Sequence, residues 1–278
     1  MITVRDMLLK GTQQLEKLEA SRLESEVLLA KAMGVSRTYL FAHPEEALSN
    51  HARDRFMNML KKRSDGEPVS YITGEKEFWS LRLSVSPAVL IPRPETELLV
   101  EVALDRIPKD AACKIADIGT GSGAIALAIA HERPSCMVHA SDISTDALEV
   151  AKSNAKQLGL DRISFHHGSW LEPLSGTFDL IASNPPYVAS GDDHLQRGDL
   201  RFEPLNALVS GPDGLEAIRE ICHSAKAHLS PGGWLVLEHG HDQASACEKI
   251  LESAGFEFVE TFRDLEGTNR VVAGRQVE

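Results

Sequence analysis

Residues 114–118, KIADI, run straight into Gly119-Thr120-Gly121-Ser122-Gly123 and then into the apolar stretch AIALAIA. A short apolar run closed by alternate glycines reads as a buried strand, a tight turn and the opening of a helix, because glycine accepts left-handed backbone angles at no steric cost. A strand that exits into a helix sends the chain back across the sheet to start a parallel neighbour, so this junction restricts the chain to layered α/β architectures. The rest of the sequence keeps to that rule. Strand patterns at 136–141, 163–166, 178–182 and 233–238 alternate with helical ones, among them 145–158, which Gly159 ends. Two last strand patterns, 256–261 and 270–273, follow each other without a helix and predict an antiparallel pair at the sheet edge. The expected fold is an α/β, Rossmann-like sheet of seven strands, mainly parallel, with helices on both faces.

Before residue 75 the period is different. Ser21-x-x-Glu24 has the form of a capping box, with Val27, Leu28, Leu29, Ala32 and Met33 at helical spacing behind it and a stop at Gly34. A further helix is predicted over 49–63, with Ala52, Phe56, Met59 and Leu60 on one face and Lys61-Lys62-Arg63 at its end, where positive charge suits the helix dipole. Past Asp65-Gly66 the apolar residues Phe78, Leu81, Leu83 and Val85 alternate, and Pro87, Pro92 and Pro94 then forbid a central strand. The expected organisation is a helical substrate-recognition domain at 1–75, a β-hairpin linker at 76–91 and an α/β domain at 92–278.

The charge is unevenly spread. Residues 1–75 carry 11 Lys and Arg against 11 Asp and Glu, so the whole excess behind the net charge of −12 falls after them. Such a surface disfavours loose binding of nucleic acid through its phosphates. Cys113, Cys136, Cys222 and Cys247 are scattered without a C-x-x-C pair, and the chain shows neither a basic-then-apolar leader nor an apolar run of membrane-spanning length, which predicts a cytoplasmic protein.

The glycines also let a backbone approach a ligand that any Cβ would push away. Asp142 closes the next strand, where a carboxylate can accept bonds from both hydroxyls of a ribose; NAD and S-adenosylmethionine share that need. Asp117, two residues before Gly119, favours the second, since it would repel a pyrophosphate but could meet the ammonium of a methionine moiety. Trp170, after the third strand, offers an indole to an adenine. Glu238-His239-Gly240-His241 sits at a strand end without a matched ligand cluster elsewhere, and no metal is expected there.

The fourth strand ends in Asn184-Pro185-Pro186-Tyr187. Open α/β sheets place ligands at this carboxyl edge. An amide nitrogen is a poor nucleophile because its lone pair is delocalised, so methylating one requires its N–H groups to be held and the lone pair aimed. The Asn184 side-chain oxygen and the Pro185 carbonyl can each accept one of those bonds, and the two prolines, lacking N–H groups and fixed in φ, keep the corner from relaxing. Tyr187 can pack against the planar group of the substrate.

Together, EPVSYITGEKEFW, VLIPRPETE, ADIGTGSGAIALA, SDIS, GSW, SNPPYV and FEPLNALVSGPDGL resemble the bacterial peptide chain release factor glutamine N5-methyltransferases over nearly the whole length. The resemblance implies a methyltransferase sheet and transfer of a methyl from S-adenosylmethionine to the glutamine side chain of a Gly-Gly-Gln loop in class I release factors. It places cofactor contacts at Gly119, Thr120, Gly121, Ser122, Gly123, Asp142, Ile143, Trp170 and Asn184, and substrate contacts at Asn184, Pro185, Pro186 and Tyr187. The sequence departs from the pattern at Trp79-Ser80, where a glycine is frequent, and at Arg201-Phe202, where a tyrosine commonly precedes Glu-Pro. Two other readings use the same motifs: an adenine-N6 methyltransferase acting on flipped bases of DNA or RNA, and a non-catalytic sensor of S-adenosylmethionine. The acidic balance opposes the first, and the intact Asn184 corner opposes the second.

Overall fold

The structure is a computed structural model and describes residues 2–277. The chain forms two compact units, one reaching to Gly74 and including Gln196–Phe202, the other comprising Glu75–Leu195 and the chain from Glu203 onward.

The first unit is helical: α1 (Val4–Gln14), α2 (Ser21–Met33), α3 (Arg37–Ala42), α4 (Asn50–Ser64) and α5 (Val69–Thr73). Val4, Leu28, Leu29, Leu40, Phe56 and Leu60 are fully buried together. Each aliphatic side chain removed from water in this way contributes about 1.5–3 kcal/mol before chain entropy is charged against it. The Ser49 hydroxyl caps α4 through the Ala52 N–H, and a capping box forms at Thr3 and Asp6. The box expected at Ser21 and Glu24 does not form. Ala20 is the N-cap of α2, and Glu24 instead takes Arg63 in a two-pronged pair, Nε at 2.8 Å and Nη2 at 2.9 Å, while Asp199 takes Nη1 at 2.8 Å. A forked ion pair outweighs a single capping bond. Arg63 is therefore a buried anchor within its unit, beyond any service to the helix dipole.

The second unit opens with a hairpin, β1 (Glu75–Phe78) and β2 (Leu81–Ser84), turned by Trp79 and Ser80 at φ 52° and 57°. Then follow α6 (Thr96–Arg106), β3 (Lys114–Ile118), α7 (Ala124–Glu132), β4 (Met137–Asp142), α8 (Thr145–Gln157), β5 (Ser164–His167), β6 (Phe178–Ser183), α9 (Glu216–His228), β7 (Leu229–Glu238), α10 (Ala244–Ser253), β8 (Glu257–Arg263) and β9 (Asn269–Arg275). Among the described residues the large sheet has seven strands in the order β5-β4-β3-β6-β7-β9-β8. The pairings from β5 to β7 are parallel, and β9 runs antiparallel to both neighbours. The late antiparallel pair lies at the edge as the missing helix predicted, with β9 inserted between β7 and β8.

Period-two alternation divides the core in two. Ile115, Leu180, Ala182 and Val236 face α6 and α7, whereas Ala116, Ile118, Ile181, Leu235 and Leu237 face α9 and α10. Both faces are covered, which explains why these strands read as continuous apolar runs. The order reverses between β4 and β6, on either side of β3. At such a switch the loops leaving the strand ends diverge and open a crevice.

Candidate active site

The crevice is a cavity of about 420 Å³, within the ~300–1,000 Å³ of sites that enclose a small organic ligand. Gly119, Thr120, Gly121 and Ser122 from the loop after β3, Asp142 and Ile143 from the end of β4, Trp170, and Asn184 and Pro186 after β6 all line it. Of the residues singled out in the sequence, Asp117, Gly123 and Tyr187 do not line it, and Pro185 stands between two that do, Asn184 and Pro186.

The loop is shaped by its glycines and tied at both ends. Gly119, Gly121 and Gly123 have φ of 70°, 55° and 85°. A Cβ at Gly119 would come within 3.2 Å of the Trp170 ring, and one at Gly123 within 3.2 Å of Ala151 on α8; at Gly121 it would meet no protein atom. Gly121 is thus the position where bare backbone faces open space on the cavity wall, the cradle that a side chain would fill.

Asp142 has a second duty that the sequence did not disclose. Its Oδ2 accepts the Gly121 N–H at 2.8 Å and its Oδ1 the Ser144 N–H at 2.8 Å, so the carboxylate pins the glycine loop while keeping lone pairs for a ligand. Trp170 stands at φ 42°, a strained angle for a bulky residue. Ser141 Oγ donates to its carbonyl at 2.5 Å and its indole Nε1 donates to Glu220 at 3.0 Å, which fixes the ring against Gly119.

Asp117 differs from the expectation of a ligand-facing carboxylate. It is fully buried, and its Oδ2 accepts the Thr120 hydroxyl at 2.6 Å and the Ala126 N–H at 3.0 Å, so it shapes the loop from behind. Burial pushes its pKa up to about 7 against those two bonds, and Oδ1 has no protein partner. The Tyr187 phenol donates to Glu238 Oε1 at 3.2 Å, and burial together with that carboxylate raises its pKa. Asn184 remains at the wall with Nδ2 donating to Thr96 Oγ1 at 3.0 Å, which leaves Oδ1 as its free acceptor.

Two supporting residues, Asn154 and Glu203, escaped the sequence reading, and a third, Glu238, was read there only for metal. Asn154, buried on α8, bonds Ser84 N–H and carbonyl at 2.7 and 3.0 Å and the Ser122 carbonyl at 2.9 Å, joining hairpin to glycine loop. Glu203, with its side chain fully buried, accepts Arg93 Nη2 at 2.5 Å and the Ile91 N–H at 3.1 Å. Glu238 is 1% exposed at the end of β7. Neither Asn154, an amide on a helix, nor Glu203, a carboxylate in a loop, is marked as interior by the apolar pattern. Among the described residues no group of three or more His, Cys, Asp or Glu could hold a metal ion.

This sheet order, with its cavity at the switch point, defines a Rossmann-like methyltransferase domain, and comparison with known proteins agrees. The family models of the PrmC N-terminal domain and the methyltransferase small domain match residues 6–74 and 95–199. A methyltransferase from Pyrococcus furiosus shares the fold with a TM-score of 0.56 at 18% identity, over 80% of this chain and 99% of that one. The release factor glutamine methyltransferase of Xylella fastidiosa is 49% identical over 270 residues, 97% of this chain and 96% of its own. That of Coxiella burnetii is 45% identical over 278 residues, 99% and 100% of the two chains. The chain belongs to the release factor glutamine methyltransferase family.

Proposed function

We propose that this protein transfers a methyl group from S-adenosylmethionine to the side-chain amide nitrogen of the glutamine in the Gly-Gly-Gln loop of class I peptide chain release factors. The observation that carries the reading is that a bare-backbone glycine loop, Asp142 and Asn184 meet on one cavity. This donor set suits an adenosyl ligand: Asp142 would accept from ribose hydroxyls, the Trp170 indole would flank the base, and Gly121 would admit close approach. S-adenosylmethionine, when bound, would supply the methyl group as an electrophile.

The protein's share of the chemistry is alignment. Asn184 Oδ1 and the Pro185 carbonyl accept the two N–H groups of the glutamine amide and hold its plane so that the nitrogen lone pair faces the methyl. Neither acts as a base, because the alkylated nitrogen becomes acidic and releases its proton to water. Pro186 stiffens the corner, and Tyr187 braces it from behind through Glu238.

One amide offers few contacts, so affinity must come from remote surface. The helical unit is the recognition domain in this reading, supported by its exposed Leu9, Leu23 and Phe41. The enzyme works in the cytoplasm, where release factors act; among the described residues no helix is long and apolar enough to cross a membrane. Incubation with labelled S-adenosylmethionine and either purified release factor or duplex and single-stranded nucleic acid tests the assignment. Label confined to the Gly-Gly-Gln peptide supports it, and label on nucleic acid alone would reverse it.

A further inference from the structure

We propose that Gln243 is a positioning residue for methyl transfer: its side-chain amide holds the Tyr187 main-chain carbonyl and thereby fixes the Asn184-Pro185-Pro186 corner. The proposal rests on the role given above to that corner.

Pro185 and Pro186 bring no N–H groups and are fixed in φ, so the corner is a stiff link whose aim depends on what grips its two ends. At one end Ser183 is paired in the sheet opposite Leu237 of β7. At the other, Gln243 Nε2 donates to the Tyr187 carbonyl at 3.0 Å. A stiff link released at that end would swing about Ser183, and the Asn184 oxygen and the Pro185 carbonyl would swing with it.

The direction of the Gln243 amide is set by its other half. Oε1 accepts the Gly240 N–H at 2.8 Å, and a main-chain N–H can only donate. The oxygen is therefore held at Gly240 and the NH2 group is turned to Tyr187, with the Asp213 carbonyl 3.4 Å away on its other side. Gly214 is fitted to the same bond. It stands at φ 74°, and a Cβ there would collide with the Tyr187 carbonyl oxygen and come within 2.7 Å of Gln243 Nε2. Three segments thus close on one carbonyl: the exit of β6, the loop before α9 and the turn between β7 and α10.

That turn carries Glu238-His239-Gly240-His241, and the segment grips Tyr187 twice. Glu238 Oε1 accepts the phenol at 3.2 Å while Gln243 holds the carbonyl. The turn is itself anchored, because the His239 N–H donates to the Arg270 carbonyl of β9 at 2.9 Å. Gln243 does not line the cavity, so it acts on the reaction through Tyr187.

The test measures kcat and KM on release factor, with S-adenosylmethionine affinity by calorimetry, for wild type, Gln243→Met and Gln243→Glu at about pH 8, where a glutamate carboxyl is ionised. Gln243→Met removes both bonds. Gln243→Glu keeps the acceptor for Gly240 but turns an oxygen, in place of a donor, on the Tyr187 carbonyl. A residue that only supported the turn would tolerate Gln243→Glu. The clamp predicts that both variants lower kcat by about 10–100-fold, the scale on which a small misplacement of reacting groups is felt. KM for release factor and cofactor affinity should stay unchanged, the split expected when an interaction serves the transition state. Wild-type kcat in either variant overturns the proposal, and so does a loss of rate matched by a loss of cofactor affinity. If Gln243→Met fails to fold, Gln243→Glu decides on the same readouts. Wild type that labels nucleic acid and leaves the glutamine unmethylated would strike the reading of the corner, and the clamp with it.

Discussion

Arg93 and Glu203, 110 residues apart, meet at 2.5 Å with the Glu203 side chain wholly buried and the Arg93 side chain 31% exposed. The pair joins the segment before α6 to the loop before α9, and Arg93 and Pro204 both line the cavity. Two stretches that carry the family resemblance, VLIPRPETE and FEPLNALVSGPDGL, are thus a lock whose halves are useless singly.

Removing one half strands the other. Arg93→Ala should destabilise the protein by about 3–5 kcal/mol, because it leaves a buried carboxylate unpaired. Glu203→Gln, which removes the buried charge and keeps one of the two acceptor oxygens that Arg93 and the Ile91 N–H now use, should cost less. Urea unfolding of the two variants checks the order, and an equal or reversed order would deny the lock.

Asp142→Ala should weaken S-adenosylmethionine binding through two losses, the ribose acceptors and the bond that pins Gly121. Each charge-assisted bond is typically worth about 1.5–3 kcal/mol. Calorimetry should show the loss, and an unchanged dissociation constant would remove Asp142 from the cofactor site.

The hairpin turn stores strain. Ser80 at φ 57° sits where a two-residue turn of this hand favours glycine. Ser80→Gly should stabilise the protein by roughly 1 kcal/mol. Trp79→Gly should not gain, because the Trp79 indole N–H bonds Glu132 at 3.0 Å. A higher urea midpoint with unchanged slope for Ser80→Gly, and none for Trp79→Gly, is the expected pattern.

Asp117 makes stability depend on pH. Its carboxyl titrates near 3.8 when unfolded and at about 7 when folded, so between those values the native state holds a proton that the unfolded chain has released. The contribution is fully present below the lower value and is lost as pH rises through the upper one. Asp117→Asn should therefore flatten the fall in stability across that window by up to about 1.4 kcal/mol per pH unit. Glu238 slopes the same way and would remain. Unfolding free energies at several pH values check it; an unchanged slope would contradict the buried-acid account.

The sheet was legible because each buried strand is a short apolar run ended by glycine, proline or a carboxylate, and because 256–261 and 270–273 lack a helix between them. That Gly121, Asp142 and Asn184 come to one cavity follows from their shared place at strand ends. Asn154 was illegible, since an amide on a helix looks like a surface residue until Ser84 and Ser122 are seen against it. The Ser21 box misled for the opposite reason: a local motif was outbid by Arg63, 39 residues on from Glu24. Glu238 was read only for metal, because its partner Tyr187 lies far away in sequence.

The central claim is that the Asn184 oxygen aligns the glutamine amide, and the single-turnover methylation rate of Asn184→Ala on intact release factor, at saturating S-adenosylmethionine, tests it most directly. A rise of about 2.7–4 kcal/mol in the barrier is predicted, the scale for one preorganised polar group. A rate near that of wild type would contradict the account.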